Sequence, residues 1–359
     1  MPFKRSIILQ LIFAFCILCL IIVAHQANDA HKSDFVNNEC PGGVCDSPSQ
    51  DDPTNDPLPP PPPPPPSDNQ SDDNDPSIPV NEKLVTPNDH DEISNNDFPF
   101  TIVTAASANH FCALEGMLYT LKDMRQHVRS FPRLVVYDLG TNDQQKTIMA
   151  NLQQHQYFDE LVTFNYSAYP AFWDITVNRG EYAWKTGIVK EVQEQYGGVI
   201  IWLDTGDVPN LMFMRMIPEY IRKYGFWSPR STGFVGSKFN HLGIFDYLKM
   251  DRKQYAMLEN CNGAALGFDT DNPRILNELV TPWYECGLDK NCIAPPGSSR
   301  QNHRQDQSAI TLLAVRAGFQ CFEYPEFHGV TIHQDEFCQE RLSSLDKMGR
   351  LLHPSSIDL

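Results

Sequence analysis

From Phe98 onward the chain sets short, densely apolar segments against stretches of helical periodicity, and this alternation limits the available folds more than any single motif. Thr101 to Ala105 (TIVTA), Arg133 to Tyr137 (RLVVY), Glu160 to Phe164 and Val199 to Leu203 (VIIWL) read as buried strands. Between them Leu114, Met117, Leu118 and Leu121 recur at helical spacing. Further helices are expected from about Asp143 to Gln154 and from Glu181 to Tyr196, the latter with Trp184, Ile188 and Val192 facing the core. Strands separated by amphipathic helices build right-handed βαβ units, so the expected fold is α/β, with a mostly parallel sheet covered by helices on both faces. Ligands of such sheets bind beyond the carboxyl ends of the strands, which selects the loops Ala105 to His110, Asp138 to Asn142, Asn165 to Gly180 and Asp204 to Asn210. The less regular part from Phe226 onward is expected to build the other wall of the cleft.

The residues before Phe98 read differently. Lys4 and Arg5 precede an apolar run from Ile7 to Ala24 that is broken only by Gln10, about the length of a bilayer-spanning helix. The basic residues place its start in the cytoplasm and the rest of the chain in the lumen, a type II arrangement. The competing reading is a cleaved signal peptide ending near Ile22-Val23-Ala24, which would make the protein secreted. Residues 28–97 hold 16 acidic and 2 basic side chains, eight consecutive prolines (Pro59 to Pro66) and few large apolar groups. Such a segment cannot offset its chain entropy by burial and is expected to be a stem. The organisation is therefore 1–27 tip and anchor, 28–97 acidic stem, 98–359 folded domain.

The formal net charge of −17 resides mostly in that stem, because residues 98–359 carry 29 acidic and 24 basic side chains. Nucleic acid is thus not an expected partner of the folded domain. Six of the ten cysteines lie in the domain, at 112, 261, 286, 292, 321 and 338. In an oxidising compartment an even number reads as up to three disulfides, Cys286 with Cys292 being the first expected pair. Zinc-finger spacing is absent. Asn69 and Asn165 sit in glycosylation tripeptides.

The strongest chemical signal is Trp202-Leu203-Asp204-Thr205-Gly206-Asp207 at the end of the most apolar strand. Positions i and i+3 of a β-turn approach within about 7 Å, so Asp204 and Asp207 would repel unless a cation lies between them. A hard divalent ion bridging to a diphosphate answers that need; a solvated structural turn is the plain alternative. Lys185 falls in a first helical turn at the ligand edge, where the helix dipole disfavours a cation and a diphosphate would stabilise it; a solvated lysine is the alternative. Asp306 reads either as an acid-base group for a sugar hydroxyl or as a helix N-cap. Asn262 beside Gly263 suits sugar hydroxyls or an ordinary turn.

Taken in order, these pieces resemble the GT-A fold glycosyltransferases, especially the glycogenin and galactosyltransferase-like group, over roughly Phe98 to His333. The Leu203-Asp204 strand end with a following Asp resembles the family's metal-binding aspartate motif, although the second carboxylate here falls one position later than in Asp-x-Asp. Phe100 to Ala105 resembles the first strand, which implies base contacts at Thr104 and Ala105. Glu181 to Lys185 resembles the helix start bearing a donor-contacting basic residue. Asn262-Gly263-Ala264 resembles the segment lining the sugar pocket, and Asp306-Gln307 the Asp-Gln pair near the acceptor. The resemblance further implies Mn²⁺, or Mg²⁺, held by Asp204 and Asp207 with a C-terminal His, either His328 or His333. The implied partners are a nucleotide-sugar donor and a glycan or glycoprotein acceptor in the Golgi or endoplasmic reticulum. A catalytically silent sugar- or protein-binding domain and a metal-dependent hydrolase are the rival expectations.

Overall fold

The computed structural model describes residues 98–128, 131–237 and 239–353; the expected anchor, the stem, the Asn69 tripeptide and the first four cysteines lie outside them. In chain order the strands are β1 (Thr101–Ala106), β2 (Arg133–Asp138), β3 (Glu160–Thr163), β4 (Val199–Leu203), β5 (Val208–Pro209), β6 (Phe226–Trp227), β7 (Arg230–Phe234), β8 (Glu259–Cys261), β9 (Ala265–Asp269) and β10 (Val330–Thr331). The longer helices are α1 (Phe111–Arg125), α2 (Asp143–Gln154), α3 (Trp184–Tyr196), α4 (Leu211–Tyr224), α5 (Leu242–Leu248), α6 (Thr281–Leu288), α7 (Gln305–Arg316) and α8 (Cys338–Lys347). Among the described residues no helix is long and apolar enough to cross a membrane.

The central sheet runs β3-β2-β1-β4-β9-β6. Its first four strands are parallel, and β9 is antiparallel to both β4 and β6. Strand order grows from β1 through β2 to β3 and then jumps to β4 on the other side. The carboxyl ends of β1 and β4 therefore flank a topological switch point, where a crevice opens.

Side chains alternate across this sheet and feed two cores. On one face Val103, Ala105, Ile200, Trp202 and Leu266 meet Ile188 and Val192 of α3 and Ile310 and Leu313 of α7. On the other, Ile102, Ala106, Val199, Ile201 and Leu203 meet Leu114 and Met117 of α1 and Phe213 and Ile217 of α4. Burial on both faces is why β1 and β4 read as unbroken apolar runs. Helix α2 starts on a reciprocal cap, in which Asn142 Oδ1 accepts from the Gln145 amide and the Gln145 side chain accepts from the Asn142 amide.

One expected boundary is corrected. Helix α3 begins at Trp184 rather than Glu181, because Asn178, Arg179, Gly180, Glu181 and Tyr182 all take positive φ, between 49° and 62°. Tertiary packing overrides the helical pattern here. A Cβ on Gly180 would lie 2.1 Å from the Trp173 carbonyl oxygen, and Trp173 is fully buried with its indole donating to the Gly287 carbonyl at 2.8 Å.

The six domain cysteines pair as 112–338, 261–321 and 286–292, including the pair expected first. The bond between Cys112 and Cys338 spans 226 residues and ties α8 to α1. Non-reducing peptide mapping should recover these three pairs. Replacing Cys112 and Cys338 together by Ala should lower unfolding stability by about 2–5 kcal/mol; an unchanged denaturant midpoint would show that α8 needs no tether.

Candidate active site

At the switch point the strand ends open into a cleft of about 680 Å³. All four loops selected from the sequence reach it, through Ala105, Leu139, Arg179 and Asp204, and the second half of the chain contributes the facing wall, including Gly263, Asp306 and His333.

Lys185 stands at its centre. The ammonium, nearly fully buried, donates to Asp204 Oδ1 at 3.0 Å and to the Gly263 carbonyl at 2.9 Å, and lies 3.0 Å from Asp306 Oδ2. An ammonium has three protons, and three acceptors take them. Burial alone would lower the Lys185 pKa, but Asp204 and Asp306 outweigh it and hold the group charged. The Trp202 ring, with its centre 5.0 Å from Nζ, adds a cation–π contact. Lys185 is therefore neither a solvated lysine nor free to meet a diphosphate.

Asp204 and Asp207 form the expected turn, closed by the Asp207 amide donating to the Asp204 carbonyl at 2.9 Å. Their environments differ. Asp204 has a side chain 37% exposed to the cleft, with Oδ1 also accepting from the Trp202 indole at 2.7 Å. Asp207 lies beneath it at 0% exposure; Oδ1 accepts from the His333 amide at 3.3 Å and Oδ2 has no partner. Burial, reinforced by the charges of Asp204 and Asp335, raises the Asp207 pKa well above the ordinary carboxylate range. Gly206 lets the third carboxylate in, since a Cβ there would lie 2.0 Å from Asp335 Oδ2.

Asp306 is not the N-cap of α7. That position is Arg304, and Asp306 lies in the first turn with its carboxylate turned to Lys185. Burial raises its pKa and Lys185 opposes the rise. Gln307 lines the cleft beside it. Gly263 fits because a Cβ would come within 2.8 Å of the Gln307 Cβ.

Besides Asp207, which lies buried beneath the cleft lining, three expected residues fall outside it. Thr104 alternates onto the face of Ile102 and Ala106, buried with no partner for its hydroxyl, while Ala105 takes the cleft side. Asn262 is 2% exposed and folds its own turn, Oδ1 accepting from the Ala264 amide at 2.9 Å. His328 packs among Tyr220, Trp227 and Phe327 with Nε2 2.7 Å from the Glu323 carboxylate, whereas His333 lines the cleft. The sequence reading missed Tyr182, Phe239, Arg300, Arg304 and Asp335 as lining residues and placed Arg179 only within a loop. Their one visible signal was position, Asp335 lying two residues beyond His333 and Arg304 two before Asp306.

Among the described residues no group of three or more His, Cys, Asp or Glu side chains is gathered so as to hold a metal ion. Two carboxylates nevertheless share one turn, one open to the cleft and one buried with an unpartnered oxygen, and that donor set fits a small hard cation.

No family model and no curated protein match the chain. Solved structures that resemble it include glycosyltransferases. The galactosyltransferase LgtC, in complex with donor and acceptor sugar analogues, is 13% identical with a TM-score of 0.40, over 70% of this chain and 100% of that one. The mannosyltransferase Ktr4p from S. cerevisiae is 10% identical with a TM-score of 0.41, over 62% and 67%. Core-mannan synthase A from Aspergillus fumigatus, in a Mn/GDP form, is 9% identical with a TM-score of 0.42, over 64% and 71%. At such distances the chemistry of the cleft rests on its own residues.

Removing the central cation should cost the fold. Lys185→Ala leaves Asp204 and Asp306 facing each other without a counter-charge and should lower stability by about 3–5 kcal/mol; denaturant unfolding of the variant checks this, and an unchanged midpoint would sink it. For Asp207 the sign runs the other way. Its folded pKa is raised, so its favourable contribution is complete below the ordinary carboxylate range and is lost as pH rises through the raised value. Without added metal, Asp207→Asn should match the parent in acid and become progressively more stable than it toward neutral pH. A pH-independent difference between the two melting curves would contradict this.

Proposed function

We propose that this chain is a nucleotide-sugar-dependent glycosyltransferase acting on a glycan or glycoprotein acceptor. In this reading the folded domain lies in the Golgi or endoplasmic reticulum lumen, held by its N-terminal segment as a type II anchor. The observation that carries the activity is the ion triad Asp204–Lys185–Asp306 set across the switch-point cleft, with the buried and unpartnered carboxylate of Asp207 beneath it. The oxidising compartment is supported by the three disulfides, since such bonds persist outside the cytosol.

A bound sugar presents several hydroxyls in fixed directions, and its transfer develops negative charge on the departing diphosphate. Asp306 and Gln307 line the cleft where sugar hydroxyls need acceptors and donors, and Lys185 fixes the carboxylates of Asp204 and Asp306 in place. Gly263 allows the backbone to approach a ring closely. The loops at Ala105 and Leu139, beyond β1 and β2, form the side open to the nucleotide base. Asp204, Asp207 and His333 would hold a divalent cation, Mn²⁺ or Mg²⁺, which when bound would neutralise the charge growing on the diphosphate.

The test uses the full-length protein in detergent, with melting followed against UDP, GDP and CMP with and without Mn²⁺. One nucleoside diphosphate with Mn²⁺, at about 100 times its Kd, should raise Tm by roughly 5 °C or more. Asp204→Asn and Asp207→Asn should abolish that rise and largely abolish sugar transfer. Indifference of the parent to every nucleotide would refute the reading; nucleotide binding without transfer to any acceptor would leave a sugar-binding domain instead.

A further inference from the structure

The cleft lining holds charges of both signs. Asp204 and Asp306 are engaged by Lys185, and Asp335 lies against the 204–207 turn, while Arg179, Arg300 and Arg304 also line the cleft. Arg179 Nη1 donates to the Tyr182 hydroxyl at 3.2 Å, and Arg300 Nη1 donates to the same oxygen, so two guanidinium groups meet at one atom. Arg300 also lies 5.1 Å from the centre of the Tyr182 ring. Arg304 sits 3.9 Å from the centre of the Phe239 ring and donates to Ser231 Oγ at 3.2 Å. Its pKa is lowered, first by burial and then by the charge of Arg300, which places the third guanidinium in the field of the second.

Like charges brought together in this way repel. Among the described residues none of the three has a carboxylate within ion-pair distance. Each guanidinium carries five N–H donors in a planar fork, most of them unused here, and Tyr182, accepting from two arginines, keeps its own proton to donate. The arrangement is also held in place. Arg179 and Tyr182 belong to the left-handed run 178–182, a conformation that costs about 1–2 kcal/mol per residue other than Gly, and the Trp184 indole fixes the Arg179 carbonyl at 3.1 Å. Strain of this kind persists where the surrounding structure over-determines it.

We propose that Arg179, Arg300 and Arg304, with the Tyr182 hydroxyl, form an anion subsite for the acceptor, so that the substrate glycosylated is an acidic glycan bearing carboxylate or sulfate groups. This rests on the glycosyltransferase reading. The acceptor is favoured over the donor diphosphate by position. Arg300 and Arg304 come from the second half of the chain, as does the Asp306-Gln307 pair, which Arg304 precedes by two residues. In the transferase reading the diphosphate would take its counter-charge from a divalent cation held by Asp204 and Asp207. Tyr182 and Phe239 put aromatic surface beside the guanidinium groups, a combination that suits a charged sugar ring.

Calorimetric titration of the full-length protein in detergent separates the outcomes. The probes are a sulfated chondroitin tetrasaccharide, the same tetrasaccharide desulfated and carboxyl-reduced, and UDP or GDP with Mn²⁺. The parent should bind the acidic form about tenfold or more tightly than the neutral form, with an affinity that falls as salt is raised. Arg300→Gln combined with Arg304→Gln should erase that preference, and Arg179→Gln, at an exposed position, should reduce it independently; nucleotide affinity should stay within about twofold of the parent. Equal binding of the two tetrasaccharides, or binding of neither, overturns the proposal. Loss of nucleotide affinity with acidic-glycan binding intact also overturns it, by assigning the arginines to the donor. Nucleotide indifference with acidic-glycan binding retained would instead sink the transferase reading and leave the subsite standing.

Discussion

Three acceptors around one ammonium hold the cleft in its shape. Lys185 reaches the end of β4 through Asp204, the turn before β9 through Gly263, and the start of α7 through Asp306. A cation in the first turn of a helix is opposed by the helix dipole, but only by about 0.3–1 kcal/mol at ordinary exposure. Two carboxylates 3.0 Å away in a buried setting outweigh that term. The larger cost is desolvation of the ions, several kcal/mol each, and it is offset only because the geometry is complete and every ammonium proton is accepted. The triad is thus better understood as fixing one arrangement of three chain segments than as a source of net stability.

The same arrangement explains why the two aspartates of one turn differ so much. Asp204 is paired, hydrogen-bonded and open to the cleft; Asp207 is covered, has an unpartnered oxygen and faces the field of two other acids. A buried carboxylate of this kind is expensive in isolation, and proteins retain such groups where a ligand supplies the missing charge. The extra residue between the two carboxylates, compared with Asp-x-Asp, is accommodated by Gly206 and by Asp335 filling the space above it.

Much of the fold was legible because its strands are buried on both faces and its connecting helices are amphipathic. β4 was located to the residue at both ends, and α2 was as well; the structure adds that Asn142 and Gln145 cap the start of α2 reciprocally. The start of α3 was not legible, since the packing of Trp173 against distant segments sets the left-handed run before it. Asp204, at a strand end, and Lys185, in a first helical turn, lie at the cleft as their positions in the sequence led one to expect, but that Lys185 is held by carboxylates from distant segments was not legible. The site was misread where orientation decides. Thr104 and Ala105 are neighbours in sequence but opposite in facing, and His328 and His333 differ in whether an aromatic cage and Glu323 have already claimed the ring. The arginines escaped notice because their meaning arises only when the loops from residues 179 and 300 are brought to the same tyrosine.

The Cys112–Cys338 bond and the short pairing of β10 with β5 draw the last part of the chain back across the first. His333 and Asp335, which complete the floor of the cleft, travel with that returning segment. During synthesis the ribosome adds roughly 5–20 residues per second, so Asp207 emerges several seconds before the groups that will enclose it. Through that interval the nascent chain has its sheet sequence but no finished pocket, and its first domain cysteine is a lone thiol awaiting a partner near the end. The order of the chain thus makes enclosure of Asp207 wait until the segment carrying His333 and Asp335 has been made.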